Sequence, residues 1–172
     1  MNVKPQKTPE LIKVAELISE ARVCMLTTID DAFSGQSLLV SRPMSALEMC
    51  EEGAIWFLTD PHSTKTEHLQ TMNLAFSDED KSTYVSLSGH GEIVTDRARI
   101  EQLWTPYARP WFPDGVDSSN VALLKFIPHV AEYWDAPNSK MVRMAAMAVS
   151  IAAAKPIGLG EHENLVLNEQ LK

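Results

Sequence analysis

The sequence predicts an α+β protein in which helices flank a small antiparallel β-barrel, and three observations carry that expectation. Residues 85–93 alternate strictly: Val85, Leu87, Gly89, Gly91 and Ile93 share one face, and Ser86, Ser88, His90 and Glu92 the other. Such alternation marks a half-buried antiparallel strand. Five further short apolar or β-branched runs are punctuated by turn residues, and an apolar pattern of helical period stands near each end of the chain.

The elements follow in order. Thr8 can serve as N-cap, Pro9 suits the first helical position, and Leu11, Val14, Ala15 and Ile18 recur at helical spacing behind Glu10. Residues 23–29 are β-rich and end at Asp30 and Asp31, with Ser34 and Gly35 completing a turn. Residues 37–40 then resume extended structure, which predicts a hairpin. Glu51, Glu52 and Gly53 form a second turn before a strand over 54–59. A break at Asp60 and Pro61 leads into a helix expected from Lys65 to about Met72. Residues 74–77 form a short strand and 78–82 a polar loop, and the two glycines of the alternating strand suggest a bend or bulge.

Asp96 can cap a helix containing Ile100, Leu103 and Trp104. Residues 105–120, rich in Pro, Gly and aromatics, form a long structured loop. A last strand spans 122–127, with 130–134 as its continuation past Pro128. The final helix spans 140–154 and carries Met141, Met144, Ala145, Ala148 and Ile151 on one side, a stripe suited to core or subunit packing. Lys155 and Pro156 stop it. The expected organisation is one domain over 1–155 and a flexible C-terminal tail over 156–172.

The bulk numbers narrow the function. With 45% hydrophobic and 22% charged residues, the 172-residue chain can build one ordinary core. Its net charge of −8 disfavours nucleic-acid and anionic-membrane surfaces, yet leaves room for a local basic pocket. Cys24 sits in an apolar run and reads as a small buried hydrophobe, and it and Cys50 are expected as free thiols. No export signal opens the chain and no apolar run is long enough to span a membrane, so the expected compartment is the cytoplasm.

Three constellations could carry chemistry. In the first, a strand ends at Leu58 and Thr59, a turn follows, and a helix opens with Ser63, Thr64 and Lys65. Thr64 and Glu67 have capping-box spacing. Free N–H groups and a lysine there make an anion site; a capped surface helix with a solvated lysine fits equally. In the second, Arg42 followed by Pro43 and Met44 at a strand end could clamp a phosphate, or simply be exposed. In the third, Trp111 and Phe112 in a Pro-bounded loop could cover a flat ring, fill a dimer interface, or pack on the chain's own core. The histidines, at 62, 68, 90, 129 and 162, match no common zinc spacing. No dinucleotide fingerprint, P-loop or hydrolase elbow is present.

Read together and in order, these motifs resemble the pyridoxamine 5′-phosphate oxidase-like superfamily of FMN-binding split barrels, most closely its general stress protein branch. The carrying residues are Met25 to Thr28, Ser41 to Met44, Trp56 to Asp60 with Ser63 and Lys65, Val85 to Gly89, Trp111 to Gly115, and Tyr133 to Asp135. The resemblance implies a six-stranded antiparallel split barrel that forms a homodimer with FMN, or FAD in its place, in a cleft between subunits. It implies that Arg42, Pro43 and Met44 lie along the isoalloxazine and ribityl chain, and that Leu58 and Thr59 meet the ring edge or phosphate side. Ser63, Thr64 and Lys65 would hold the phosphate, and Trp111 and Phe112 would reach the partner's flavin.

Two departures bear on activity. Oxidases of the superfamily commonly carry Arg-Lys where this chain has Thr64 and Lys65. The chain also ends in Glu161, His162, Glu163 and the run to Lys172, without the basic segment that recognises pyridoxamine phosphate. The expected function is therefore a bacterial FMN-binding general stress protein with flavin-dependent oxidoreductase activity. The alternative is a non-enzymatic flavin-holding or signalling module.

Overall fold

Thr8 accepts the Leu11 amide on its hydroxyl (3.3 Å) and opens the first helix, α1 (Pro9–Ile18), with Pro9 where a missing N–H leaves no bond unmade. In this computed structural model, which describes residues 1–33, 36–63, 66, 68–136, 140–156, 158 and 160–167, α1 buries Leu11, Val14, Ala15 and Ile18, as their spacing predicts. Gly53 has positive φ (83°) in the turn over 51–53, and a Cβ there would press on Leu11, so turn and helix pack closely.

Among the described residues, nine strands form one sheet. They are β1 (Asn2–Val3), β2 (Val23–Phe33), β3 (Gln36–Ser45), β4 (Glu48–Met49), β5 (Ile55–Thr59), β6 (Met72–Asp78), β7 (Thr83–Val94), β8 (Ala122–Asp135) and β9 (Glu161–Val166). Their order is β1-β4-β5-β8-β7-β6-β2-β3, with β9 also paired to β8. Every ladder is antiparallel except β1 on β4. Strands β2, β3, β5, β6, β7 and β8 are the six expected runs; β1, β4 and β9 raise the count from six to nine. β3 also comes against β5, so the sheet curls back on itself. The remaining helices are α2 (Arg97–Leu103), capped by the Asp96 carboxylate on the Ala98 amide (3.0 Å), and α3 (Lys140–Ala153).

Two expectations need correction. Residues 68–71 are not helical, and β6 begins at Met72, where a helix was expected from Lys65 to about Met72. The Thr66 amide donates to the Ser63 carbonyl (2.9 Å) in a single turn. The Leu69 carbonyl is then taken by the Gly91 amide (2.7 Å), and tertiary pairing overrides a weak local pattern. The stretch expected as a flexible tail carries β9. It pairs Glu161–Val166 against Val130–Asp135, and the Tyr133 hydroxyl donates to Glu163 (3.0 Å). Polar residues on an outer edge strand leave no periodic apolar signal to read.

The alternating strand behaves as its pattern predicts, with Val85, Leu87, Gly89 and Gly91 buried. Its register against β8 shifts between Ser88 and Gly89, so His129 is the extra residue of a bulge and Pro128 lies opposite Gly89. A proline inside a central strand lacks a ladder donor, and a bulge is where that is tolerated. A Cβ on Gly89 would collide with the Ile127 carbonyl.

β5 is buried on both faces, which is why its sequence reads as a continuous apolar run. Ile55 and Phe57 join the main core with Leu26, Leu74, Leu87, Leu124 and Phe126. Trp56 and Leu58 face a second cluster under α2 that contains Ile100, Val121, Leu123, Trp104 and Phe112. Cys24 is buried and, like Cys50, free; burial pushes the Cys24 thiol up to about 12.

Candidate functional site

Strand alternation turns Cys24, Leu26 and Thr28 of β2 inward. Arg42, opposite Leu26 on β3, shares that side with Met44. The Arg42 guanidinium is half-buried and donates to the buried Thr28 hydroxyl (3.2 Å). Among the described residues it has no carboxylate partner. Arg99 of α2 is the contrast: it pairs with buried Glu48 (2.6 Å) and lies over the Trp56 ring (4.8 Å to its centroid). Among the described residues this half-buried cation meets only a neutral acceptor, an arrangement that an anion would complete.

Thr59 follows Phe57 on the inward side of β5 and is buried. It stands near the same end as Arg42. Thr28 pairs with Met72, Phe57 pairs with Leu124, and Met72, Leu69 and Leu124 converge on Gly91, where no Cβ would fit. The loop that follows β5 closes on itself. Asp60 accepts the His62 amide on its carboxylate (2.8 Å), the Ser63 hydroxyl donates to the Asp60 carbonyl (2.8 Å), and the Thr66 hydroxyl donates to the Pro61 and Ser63 carbonyls (2.8 and 2.6 Å). Thr64 and Lys65 lie outside the described residues.

The other expected positions separate. Pro43 is exposed on the opposite sheet face from Arg42 and Met44, because neighbours on a strand alternate. Leu58 turns into the second cluster. Phe112 does so too, half-buried and 6.4 Å from Trp104 between ring centroids, so it packs at least in part on the chain's own core, whereas Trp111 is 75% exposed.

Register also assembles groups that the sequence pattern left scattered. Ser41, Thr27, Asn73 and Ser88 lie side by side across β3, β2, β6 and β7. The Thr27 and Ser41 hydroxyls are 2.7 Å apart, and Asn73 donates to Ser86 (2.8 Å) and Ser88 (3.2 Å), forming a polar row on the outer face. The alternation of residues 85–93 marked Ser86 and Ser88 as neighbours, but only strand pairing brings Asn73 to them. His90 Nδ1 and His129 Nε2 meet at 2.7 Å, with the rings stacked at 4.8 Å. Burial, and secondarily the neighbouring His90, push the His129 pKa below its ordinary value, and its buried Nδ1 meets no partner among the described residues. Among the described residues no three His, Cys, Asp or Glu side chains are grouped to hold a metal, and no helix is long and apolar enough to cross a membrane.

The chain belongs to the pyridoxamine 5′-phosphate oxidase-like family, whose model matches residues 10–156. It is 27% identical to the protein bli-3 of Neurospora crassa over 156 residues, covering 83% of this chain and 73% of that one. Among solved structures, it is similar to a general stress FMN/FAD binding protein from Xanthomonas citri, with 30% identity and a TM-score of 0.62 over 77% of this chain and 93% of that one. It is likewise similar to a protein from Clostridium acetobutylicum related to general stress protein 26, with 26% identity and a TM-score of 0.59 over 74% and 91% of the two chains.

Proposed function

We propose that this protein binds a flavin, FMN first and FAD as the alternative, and that the curled sheet is the family's split barrel working as a homodimer in the cytoplasm. The observation that carries the reading is Arg42, held by Thr28 and lacking an anionic partner among the described residues. Its charge, the hydroxyls of Thr59 and Ser63, and Thr64 and Lys65 beyond them form the donor set that a flavin phosphate requires. Family membership and the flavin-binding relative from Xanthomonas citri support it. Met44 would pack beside the ligand on the Arg42 side. Pro43, Leu58, Trp111 and Phe112 would act from the faces on which they stand, and Trp111 is free to reach a second subunit.

A bound flavin supplies electron transfer, and the chain has to position it and exclude water. The activity that follows is a flavin-dependent oxidoreductase serving a bacterial stress response; the competing reading is a flavin-holding module. The test is the visible spectrum of the freshly purified protein, with the released cofactor identified by mass. A flavin spectrum is expected; a colourless protein that fails to quench FMN fluorescence on titration overturns the reading. Turnover of NADH or NADPH no faster than with free FMN removes the oxidoreductase and leaves the holding module. Pyridoxamine phosphate is not expected to yield hydrogen peroxide.

A further inference from the structure

The bulge of β8 holds a side-chain pair outside the candidate flavin set. His129 is its extra residue, and His90 stands opposite Ile127 on the outer face of β7. His90 Nδ1 and His129 Nε2 are 2.7 Å apart, the ring planes differ by 16°, and the ring centroids are separated by 4.8 Å. The nitrogen–nitrogen distance with one ring radius added at each end barely exceeds that separation. The near-parallel rings are therefore offset until they meet edge to edge, and each nitrogen points along the line to the other.

Backbone fixes the spacing of the pair. Pro128 and Gly89 oppose one another beside it, and a Cβ on Gly89 would collide with the Ile127 carbonyl, so the strands lie in close contact there. On the other side of β8 the Leu167 amide donates to the His129 carbonyl (2.7 Å). The His129 Nδ1 is buried, which leaves Nε2, the nitrogen turned to His90, as the one a ligand can reach. Burial, and secondarily His90, favour the neutral His129 ring, the form that binds metal. Carboxylates do not join the pair. Glu92, two residues further along the face of His90, is taken by Lys125 (3.3 Å), and among the described residues no three His, Cys, Asp or Glu are grouped.

We propose that His90 and His129 form a two-coordinate site for a soft monovalent cation, Cu(I) or its analogue Ag(I), held in line between His90 Nδ1 and His129 Nε2. The site stands apart from the flavin and does not need it. Geometry selects the cation. Two donors facing along one line match linear coordination, whereas Zn(II) takes four tetrahedral ligands and Ca(II) or Mg(II) a shell of oxygens. Charge selects it again, since two neutral nitrogens without a carboxylate suit a soft monovalent ion better than a hard divalent one. Metal–imidazole bonds of about 2 Å each set the nitrogens about 4 Å apart, so the pair opens by roughly 1 Å. His90 makes that movement, because it stands half-buried on the outer face while His129 is held in the bulge. The proton between the rings passes to the other nitrogen of the ring that carried it, so both rings stay neutral and two nitrogen–metal bonds replace one hydrogen bond.

The test uses Ag(I), which needs no reducing agent, on the full chain in chloride-free buffer. Cys50→Ser removes the partly accessible thiol, and Cys24 is buried. One equivalent of Ag(I) should shift the NMR signals of His90 Nδ1 and His129 Nε2 together. In calorimetric titration, His90→Gln removes a ligand and should weaken binding about a hundredfold or more, while the metal-free protein keeps its far-ultraviolet spectrum. Competition with bicinchoninate for Cu(I) under anaerobic conditions should rank the two proteins in the same order. Ring-nitrogen signals that stay in place overturn the site. So does a response confined to the methyl groups of Met144 and Met147, which stand exposed on the apolar stripe of α3. Zn(II) moving the same two nitrogens at lower concentration than Ag(I) overturns the linear coordination.

Discussion

Arg42 donates to Thr28 across the β2–β3 ladder at 3.2 Å, so a neutral hydroxyl aims a half-buried guanidinium that meets no carboxylate among the described residues. Arg42→Ala should weaken FMN binding about ten- to a hundredfold, since a charge-assisted contact contributes roughly 1.5–3 kcal/mol. Lys65→Ala should do the same, and Thr28→Val, which removes only the positioning acceptor, should cost less. Fluorescence-quenching titrations measure all three, and unchanged affinity in both cation variants would place the phosphate elsewhere.

The adjacent aromatics should behave oppositely. Phe112 packs on Trp104 and the second cluster, so Phe112→Ala should cost about 1–3 kcal/mol and lower the melting temperature by several degrees. Trp111→Ala should leave stability within about 0.5 kcal/mol. If it nevertheless changes flavin fluorescence in the dimer, Trp111 reaches the flavin of the partner. Equal destabilisation by the two substitutions would contradict the packing.

Gly89 and Gly91 should tolerate alanine differently. At Gly89 the new Cβ meets the Ile127 carbonyl in the bulge, where backbone would have to move, and a loss of about 2–4 kcal/mol is expected. At Gly91 it meets the Met72 sulfur (2.7 Å) and a Leu124 methyl (2.8 Å), whose side chains can shift, so the loss should be smaller. Chemical denaturation of both variants decides, and the reverse order would contradict the bulge.

Acid should weaken the fold through His129. Burial and His90 hold its folded pKa below 6.5, so as pH falls through that value the unfolded chain takes up a proton that the folded chain refuses. Stability is full above pH 6.5 and declines below it until the lower, folded pKa is passed. His129→Gln should flatten this part of the denaturation-midpoint profile between pH 7 and 5. An unchanged slope would show that His129 takes no part.

Periodicity and capping chemistry made α1, α2 and the six principal strands legible, because Thr8, Asp96 and the alternation of residues 85–93 act within a few residues of themselves. The helix expected from Lys65 failed for the opposite reason: Leu69 answers to Gly91, a partner distant in sequence. The candidate site was proposed from residue types, since Arg42, Ser63 and Lys65 are the cations and hydroxyl that a phosphate would need. Which of the site residues share a face was not legible, because Pro43 and Phe112 take their directions from pleat and packing.

The sequence by itself determined α1, α2, the six principal strands and the family, and it supplied the cation and hydroxyl residue types of the candidate site, all of which are local properties of side chains and their spacing. Tertiary structure alone decided that Thr28 aims Arg42, that Asn73 joins the Ser86–Ser88 row, that β9 lies on β8, and that the apolar stripe of α3 faces outward. These depend on strand register, and a shift of one residue in register would move every side chain to the other face.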